Sequence, residues 1–282
     1  FNLKPSHMKQ LMSWLLKFKG VAFHFEVVGD LLTNDLLDFL ETVPKGMFQF
    51  ELGVQTTDQS SQEKIKRKQN NKKLFFAIER LISSNLIHIH CDLIFGLPGE
   101  TMDDILNSFE EVCLLRPHEL QLGFLKFLPG APIKEIIGDY GYEYQSTPPY
   151  EFISNNDLSA SQLNYLKKFE DVFDIFYNSK RFRFTVQRLL KKLSAFIIFN
   201  SLLEHMETNN IFNQPHALNA QYKIIHDTFT LNKDPVDLDI LRLDYLYAQR
   251  VYRLPRFLEI EEARQKTWGG DKKTPLVPFL HT

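Results

Sequence analysis

Cysteine is scarce in this sequence: Cys91 and Cys113 are the only two. Two thiols do not make a disulfide framework, which excludes a small scaffold held by bridges. No apolar run approaches the ~20 residues that a membrane span needs, and no signal-peptide pattern opens the sequence. Neither sign of charge is in excess, since 33 basic and 35 acidic residues leave a formal net charge of -2. That balance argues against a nucleic-acid partner and against an anionic membrane surface. A reducing, cytoplasmic setting is the expectation. What is present is material for a core. Hydrophobic residues make up 44% of 282 positions, enough for two domains of ordinary size. The 25 phenylalanines are spread along the chain and read as part of that core.

The first half alternates between two periods. Residues 21–28, 47–54, 86–95 and 119–128 are β-rich, while 31–42, 60–83 and 102–115 carry apolar residues at helical spacing. Alternation of this kind indicates βαβ units and a parallel sheet. The strands have unlike faces. Gln49, Glu51, Gly53 and Gln55 oppose Phe48, Phe50, Leu52 and Val54, and His88, His90 and Asp92 oppose Ile87, Ile89, Cys91 and Leu93. In the first strand His24 and Glu26 oppose Phe23 and Phe25. A sheet covered on both faces would be apolar on both. The pattern therefore predicts an α/β fold, a partial (β/α) barrel whose apolar face lies under helices and whose polar face lines a ligand channel.

Beyond Pro129-Gly130-Ala131-Pro132 the pattern changes. Residues 138–156 read as a linker or extended surface loop, and from Leu158 the chain reads as helical. Leu163, Leu166, Phe169, Val172, Phe173 and Phe176 form one stripe behind caps at Asp157 and Ser159, and 189–206 and 238–247 suggest further helices. Residues 255–282 read as a surface tail. The expected division is a barrel portion over 1–135 and a helical domain of unknown function over 136–282.

Two strand ends carry polar groups where α/β barrels hold their ligands. One is Phe50-Glu51-Leu52-Gly53-Val54-Gln55-Thr56, and the other is Asp92-Leu93-Ile94-Phe95-Gly96-Leu97-Pro98-Gly99-Glu100. Arg67 follows Gln55 by 12 residues and Asp92 follows it by 37. On these residues, with Glu26 at the end of the first strand, the first half resembles the radical S-adenosylmethionine (radical SAM) domain. It is similar to the oxygen-independent coproporphyrinogen oxidase branch through Gly53-Val54-Gln55-Thr56, the arginine and the Asp92 run. The Leu125-Lys126-Phe127-Leu128-Pro129-Gly130 run and the helical appendix resemble more the cobalamin-binding radical SAM group, some of whose members are described as relatives of magnesium-protoporphyrin monomethyl ester cyclase.

The resemblance implies that Glu26, Gln55, Arg67 and Asp92 contact S-adenosylmethionine. Arg67 would fork onto the carboxylate, Glu26 and Asp92 would accept from the ammonium or ribose hydroxyls, and Gln55 would donate and accept. Gly53 and Gly96 would let backbone approach the adenine. It implies a [4Fe–4S] cluster, an external electron donor, a small-molecule substrate and reductive cleavage to a 5′-deoxyadenosyl radical; the second branch would add cobalamin. The family holds its cluster on Cys-x-x-x-Cys-x-x-Cys, which these residues lack. The chain is thus expected to supply strands three to six of the barrel, to hold no metal and to be inactive alone. Its first strand, left as an edge, is expected to pair with a second copy or to be covered by the chain's own tail.

Two other classes compete. His88 and His90 on one strand face with Asp92 suggest a metal-dependent hydrolase. A binding module without catalysis is the other. The basic residues between Lys64 and Lys73 read as a solvated helix face rather than a nucleic-acid patch, because no aromatic platform interleaves them.

Overall fold

The structure is a computed structural model and describes residues 2–212, 217–249 and 254–259. The chain divides into two compact units, Phe1–Glu170 and Asp171–Thr282. Residues 136–170 fall with the first unit in this division, whereas the sequence reading groups them with the helices that follow.

The first unit is built on four parallel strands in sequential order: β1 (Phe23–Glu26), β2 (Phe48–Gln55), β3 (His88–Phe95) and β4 (Glu119–Phe124). Helix α1 (Pro5–Leu15) precedes them, and α2 (Asn34–Leu40), α3 (Gln59–Lys64), α4 (Asn71–Ser84) and α5 (Met102–Leu114) connect them. Successive neighbours joined by crossovers of one hand leave their helices on one side of the sheet. Burial follows. Phe48, Phe50, Leu52, Val54, Ile89, Cys91, Leu93 and Leu120 are buried against the apolar stripes of α2, α4 and α5, while the alternate residues stay accessible. This is the arrangement of successive βα units in a partial (β/α) barrel, with one open polar face.

Two local expectations change. The helical stretch over 60–83 is broken: α3 ends at Lys64 and α4 starts at Asn71, with Lys66 left-handed at φ 56° between them. Residues 138–156 are no loose linker, since β5 (Glu143–Tyr144) and β6 (Phe152–Ser154) pair there and bury Tyr142 and Phe152. Helix α6 (Ala160–Phe173) begins at a reciprocal cap between Ser159 and Gln162 and crosses the division after Glu170.

The second unit contains α7 (Arg183–Leu189), α8 (Ala195–Thr208), α9 (Leu218–Phe229) and α10 (Pro235–Gln249) around Phe182, Phe199, Leu202, Met206, Tyr222, Ile225 and Leu241. Asp244 accepts from the amides of Phe184 and Thr185 and so caps α7 from α10. Leu258 is buried, so the expected surface tail begins with an anchored residue; its last part lies outside the described residues. Among the described residues no helix is long and apolar enough to cross a membrane.

Candidate functional site

The carboxyl ends of β2 and β3 bring the sequence candidates together. Gly53 on β2 is level with Asp92 on β3, and the register slips by one residue between Gly53 and Gln55. At that bulge Gln55 takes φ 67°, a left-handed conformation rare for a side chain of its length. A Cβ on Gly53 would stand 2.8 Å from Gln55 Nε2 and 3.8 Å from an Arg67 guanidinium nitrogen. The missing side chain is what lets these two polar groups converge on the strand end.

Arg67 arrives from the loop between α3 and α4, not from a helix as its spacing suggested. The loop is laced to the end of β2. Gln69 Nε2 donates to the Val54 carbonyl at 3.2 Å, Gln62 Nε2 to the Thr56 carbonyl at 2.8 Å, and Asn71 Nδ2 to the Thr57 carbonyl at 2.8 Å. Buried hydroxyls of Thr56 and Ser108, 3.2 Å apart, tie the same segment to α5. Arg67 itself donates through a terminal nitrogen to the Gly53 carbonyl and through Nε to Gln69 Oε1 at 2.9 Å. Burial lowers its pKa, opposed only by the field of Asp30. No ion pair involves Arg67 among the described residues. A half-buried guanidinium held by neutral acceptors is a site for an incoming carboxylate.

Glu26 shares the open face but stands apart. It is exposed at the end of edge strand β1 and level with Glu51, one step below Gly53 and two strands from Asp92. Gly96 also separates from the group. It is buried at φ 85°, and a Cβ there would lie 2.1 Å from the Phe152 ring, so Phe152 fills the flank expected to meet adenine.

Behind Gly96, Glu100 is buried and accepts from the amides of Gly96 and Leu97 at 3.1 and 3.2 Å. Burial pushes its carboxyl up to about 7, against the Thr56 hydroxyl and those two amides. The Tyr142 hydroxyl donates to the Gly96 carbonyl at 2.7 Å. In the sequence Glu100 is only the last residue of the Asp92 run. Its role as the clasp of the β3–α5 turn depends on residues far along the chain. Gln62, Gln69 and Asn71 were also passed over. Their one signal was an amide-rich stretch beside Arg67.

The open face carries imidazoles beside carboxylates. His24 Nε2 lies 3.0 Å from Glu51, His88 Nε2 lies 3.6 Å from Glu119, and His90 Nε2 lies 3.0 Å from Asp92. Asp92 raises the His90 pKa above its ordinary value, against burial and with smaller help from Glu119 and Glu51. These pairs do not make a metal centre. Among the described residues no group of three or more His, Cys, Asp and Glu is placed to hold a metal ion, so nothing there favours the hydrolase alternative built on His88, His90 and Asp92. Cys91 and Cys113 are both fully buried, and burial pushes both thiols far up.

Residues 4–112 match the radical SAM superfamily, and residues 138–271 match a family described as a protein of unknown function, DUF4080. The heme chaperone HemW of Buchnera aphidicola (from Acyrthosiphon pisum, strain APS) is 28% identical over 122 residues, 42% of this chain and 32% of that protein. HemW of Bacillus subtilis (strain 168) is 34% identical over 112 residues, 38% of this chain and 29% of that protein. The chain thus spans about a third of the length of these curated relatives. Among solved structures, Escherichia coli coproporphyrinogen III oxidase (HemN) overlays with a TM-score of 0.38 at 22% identity, covering 48% of this chain and 38% of that one. The likeness to the radical SAM superfamily thus lies in the sheet-bearing first unit, over residues 4–112.

Proposed function

We propose that the ends of β1, β2 and β3 bind S-adenosylmethionine, with Arg67 on the carboxylate, Gln55 and Asp92 on the ammonium and ribose, and Glu26 at the outer edge. The observation that carries this reading is Arg67: a half-buried cation beside Gly53 which, among the described residues, has no carboxylate partner and donates to two neutral acceptors. Asp92 supports it, because its Oδ1 is buried without a hydrogen-bond partner and Gly53 lies level with it. These residues fit the ligand. Bound S-adenosylmethionine would supply a sulfonium carbon whose reductive cleavage is the general chemistry of the superfamily. What this chain's residues do is grip the amino-acid end and orient it against the sheet.

The iron–sulfur cluster does not fit the same way. Both cysteines face apolar surroundings with raised thiols, so neither is a ligand, and no step is derived through a cluster. That burial favours a second reading, in which these residues bind without themselves supporting cleavage. The heme-chaperone names of the curated relatives are compatible with a carrier role for the whole protein, and the family resemblance with an oxidoreductase or methyltransferase role, with or without cobalamin. The test is equilibrium titration of the protein with S-adenosylmethionine. Saturable binding that weakens in Arg67→Ala supports the site, and absence of binding refutes it.

A further inference from the structure

His90 and Asp92 sit two residues apart on the open face of β3. The Nε2–Oδ1 separation is 3.0 Å, yet the pair is out of line for a hydrogen bond. Both atoms are buried, and among the described residues neither has a hydrogen-bond partner. A buried acceptor without a donor is costly, and two things can relieve it here. One is a proton on the imidazole, which turns the contact into an ion pair. The other is a donor brought by a ligand.

We propose that His90 is a positioning residue of the cofactor site: its neutral ring leaves Asp92 to accept from the ligand's ammonium or ribose hydroxyl, and its protonated ring draws Asp92 away. The inference rests on the reading of Asp92 as a contact of S-adenosylmethionine. The groups that face His90 can be named strand by strand. Its own strand presents Asp92 and His88; β2 presents Glu51, level with His90; β4 presents Glu119, also level with it. Glu51 lies against His24 at 3.0 Å and Glu119 lies 3.6 Å from His88. Asp92 is therefore the carboxylate that answers mainly to His90. Beyond it, Arg67 stands over Gly53 and marks the ligand side. Because Asp92 raises the imidazole pKa, the switch falls at a higher pH than an isolated histidine would place it.

The test is isothermal titration of S-adenosylmethionine into the wild type and into His90→Gln between about pH 5.5 and 7.5, below the range in which the ligand's own amine titrates. Wild-type affinity should rise about tenfold across that range, the size of one charge-assisted hydrogen bond, while His90→Gln changes by less than about twofold. Parallel profiles would overturn the inference and leave the cofactor site standing. No binding by the wild type at any pH would overturn the site itself. A second measurement needs no ligand. The His90 ring resonances, followed by NMR, should show a midpoint that drops in Asp92→Asn, and an unmoved midpoint refutes the coupling.

Discussion

Arg67 donates to the carbonyl of Gly53, the β2 residue that lies level with Asp92 on β3. One contact thus joins a loop cation to the polar row of the sheet, at the level where Asp92 lies beside His90. Replacing Arg67 by Ala should weaken S-adenosylmethionine binding by about 1.5–3 kcal/mol in an equilibrium titration. Arg67→Lys should recover only part of this, because an ammonium keeps the charge and loses the planar fork. Equal affinity of all three proteins would remove Arg67 from the site.

Two glycines should separate by what their substitution harms. Gly53→Ala brings a methyl within 2.8 Å of the Gln55 amide, the free end of a flexible side chain, so the unfolding free energy should move by less than about 1 kcal/mol while ligand affinity falls. Gly96→Ala meets the Phe152 ring at 2.1 Å from a left-handed backbone and should cost about 2–4 kcal/mol of stability. Denaturant unfolding of both variants, with titration of the first, checks the contrast.

Glu100 should make stability depend on pH. Its folded carboxyl is raised from 4.5 to about 7, so the folded state holds a proton that the unfolded chain has released. Its stabilising contribution is complete below about pH 4.5 and is lost as pH rises through about 7. The loss amounts to roughly 2–4 kcal/mol. Glu100→Gln removes this proton, so the wild type should lose stability relative to the variant across that window and not above it. Urea denaturation at several pH values gives the comparison; a constant difference would contradict it.

The outer edge of β1 should join two copies. Phe23 and Val27 donate inward to Met47 and Glu51, each at 2.8 Å, so by alternation His24 and Glu26 turn their backbone groups outward. Asn2 already takes both backbone groups of Val28, at 2.8 and 2.9 Å, which limits the open edge to those two residues. We propose that antiparallel pairing of two β1 strands sets His24 of one copy against Glu26 of the other. Sedimentation equilibrium should show a dimer that dissociates in His24→Pro, since proline deletes an outward N–H. A wild-type monomer at high concentration would reject the pairing.

Anaerobic incubation of these 282 residues with iron and sulfide should leave them without a stoichiometric cluster, because Cys91 and Cys113 are both inaccessible. Iron counting and a 5′-deoxyadenosine assay with a strong reductant decide the matter. Bound iron at three or four per chain would require both thiols to be reassessed.

Much of the sheet was determined by sequence alone, because a strand writes its two faces into every second residue. The alternation of Gln49, Glu51 and Gly53 with Phe48, Phe50 and Leu52, repeated by His88, His90 and Asp92, was sufficient for strand number, order and the side on which helices lie. The family resemblance likewise drew Gln55, Arg67 and Asp92 into one candidate site. Tertiary structure decided what local periods cannot carry. Arg67 reaches Gly53 because amide side chains break a helical pattern at Lys66 and bind it to the end of β2. Gly96 is closed off by Phe152 and held by Tyr142, from a segment whose Gly, Pro and Tyr content resembled a loop, and Glu100 is buried behind it. The asymmetry is physical: strand polarity is set between neighbours in the chain, whereas an uncompensated cation or a raised carboxyl pKa exists only once distant residues have excluded the water around it.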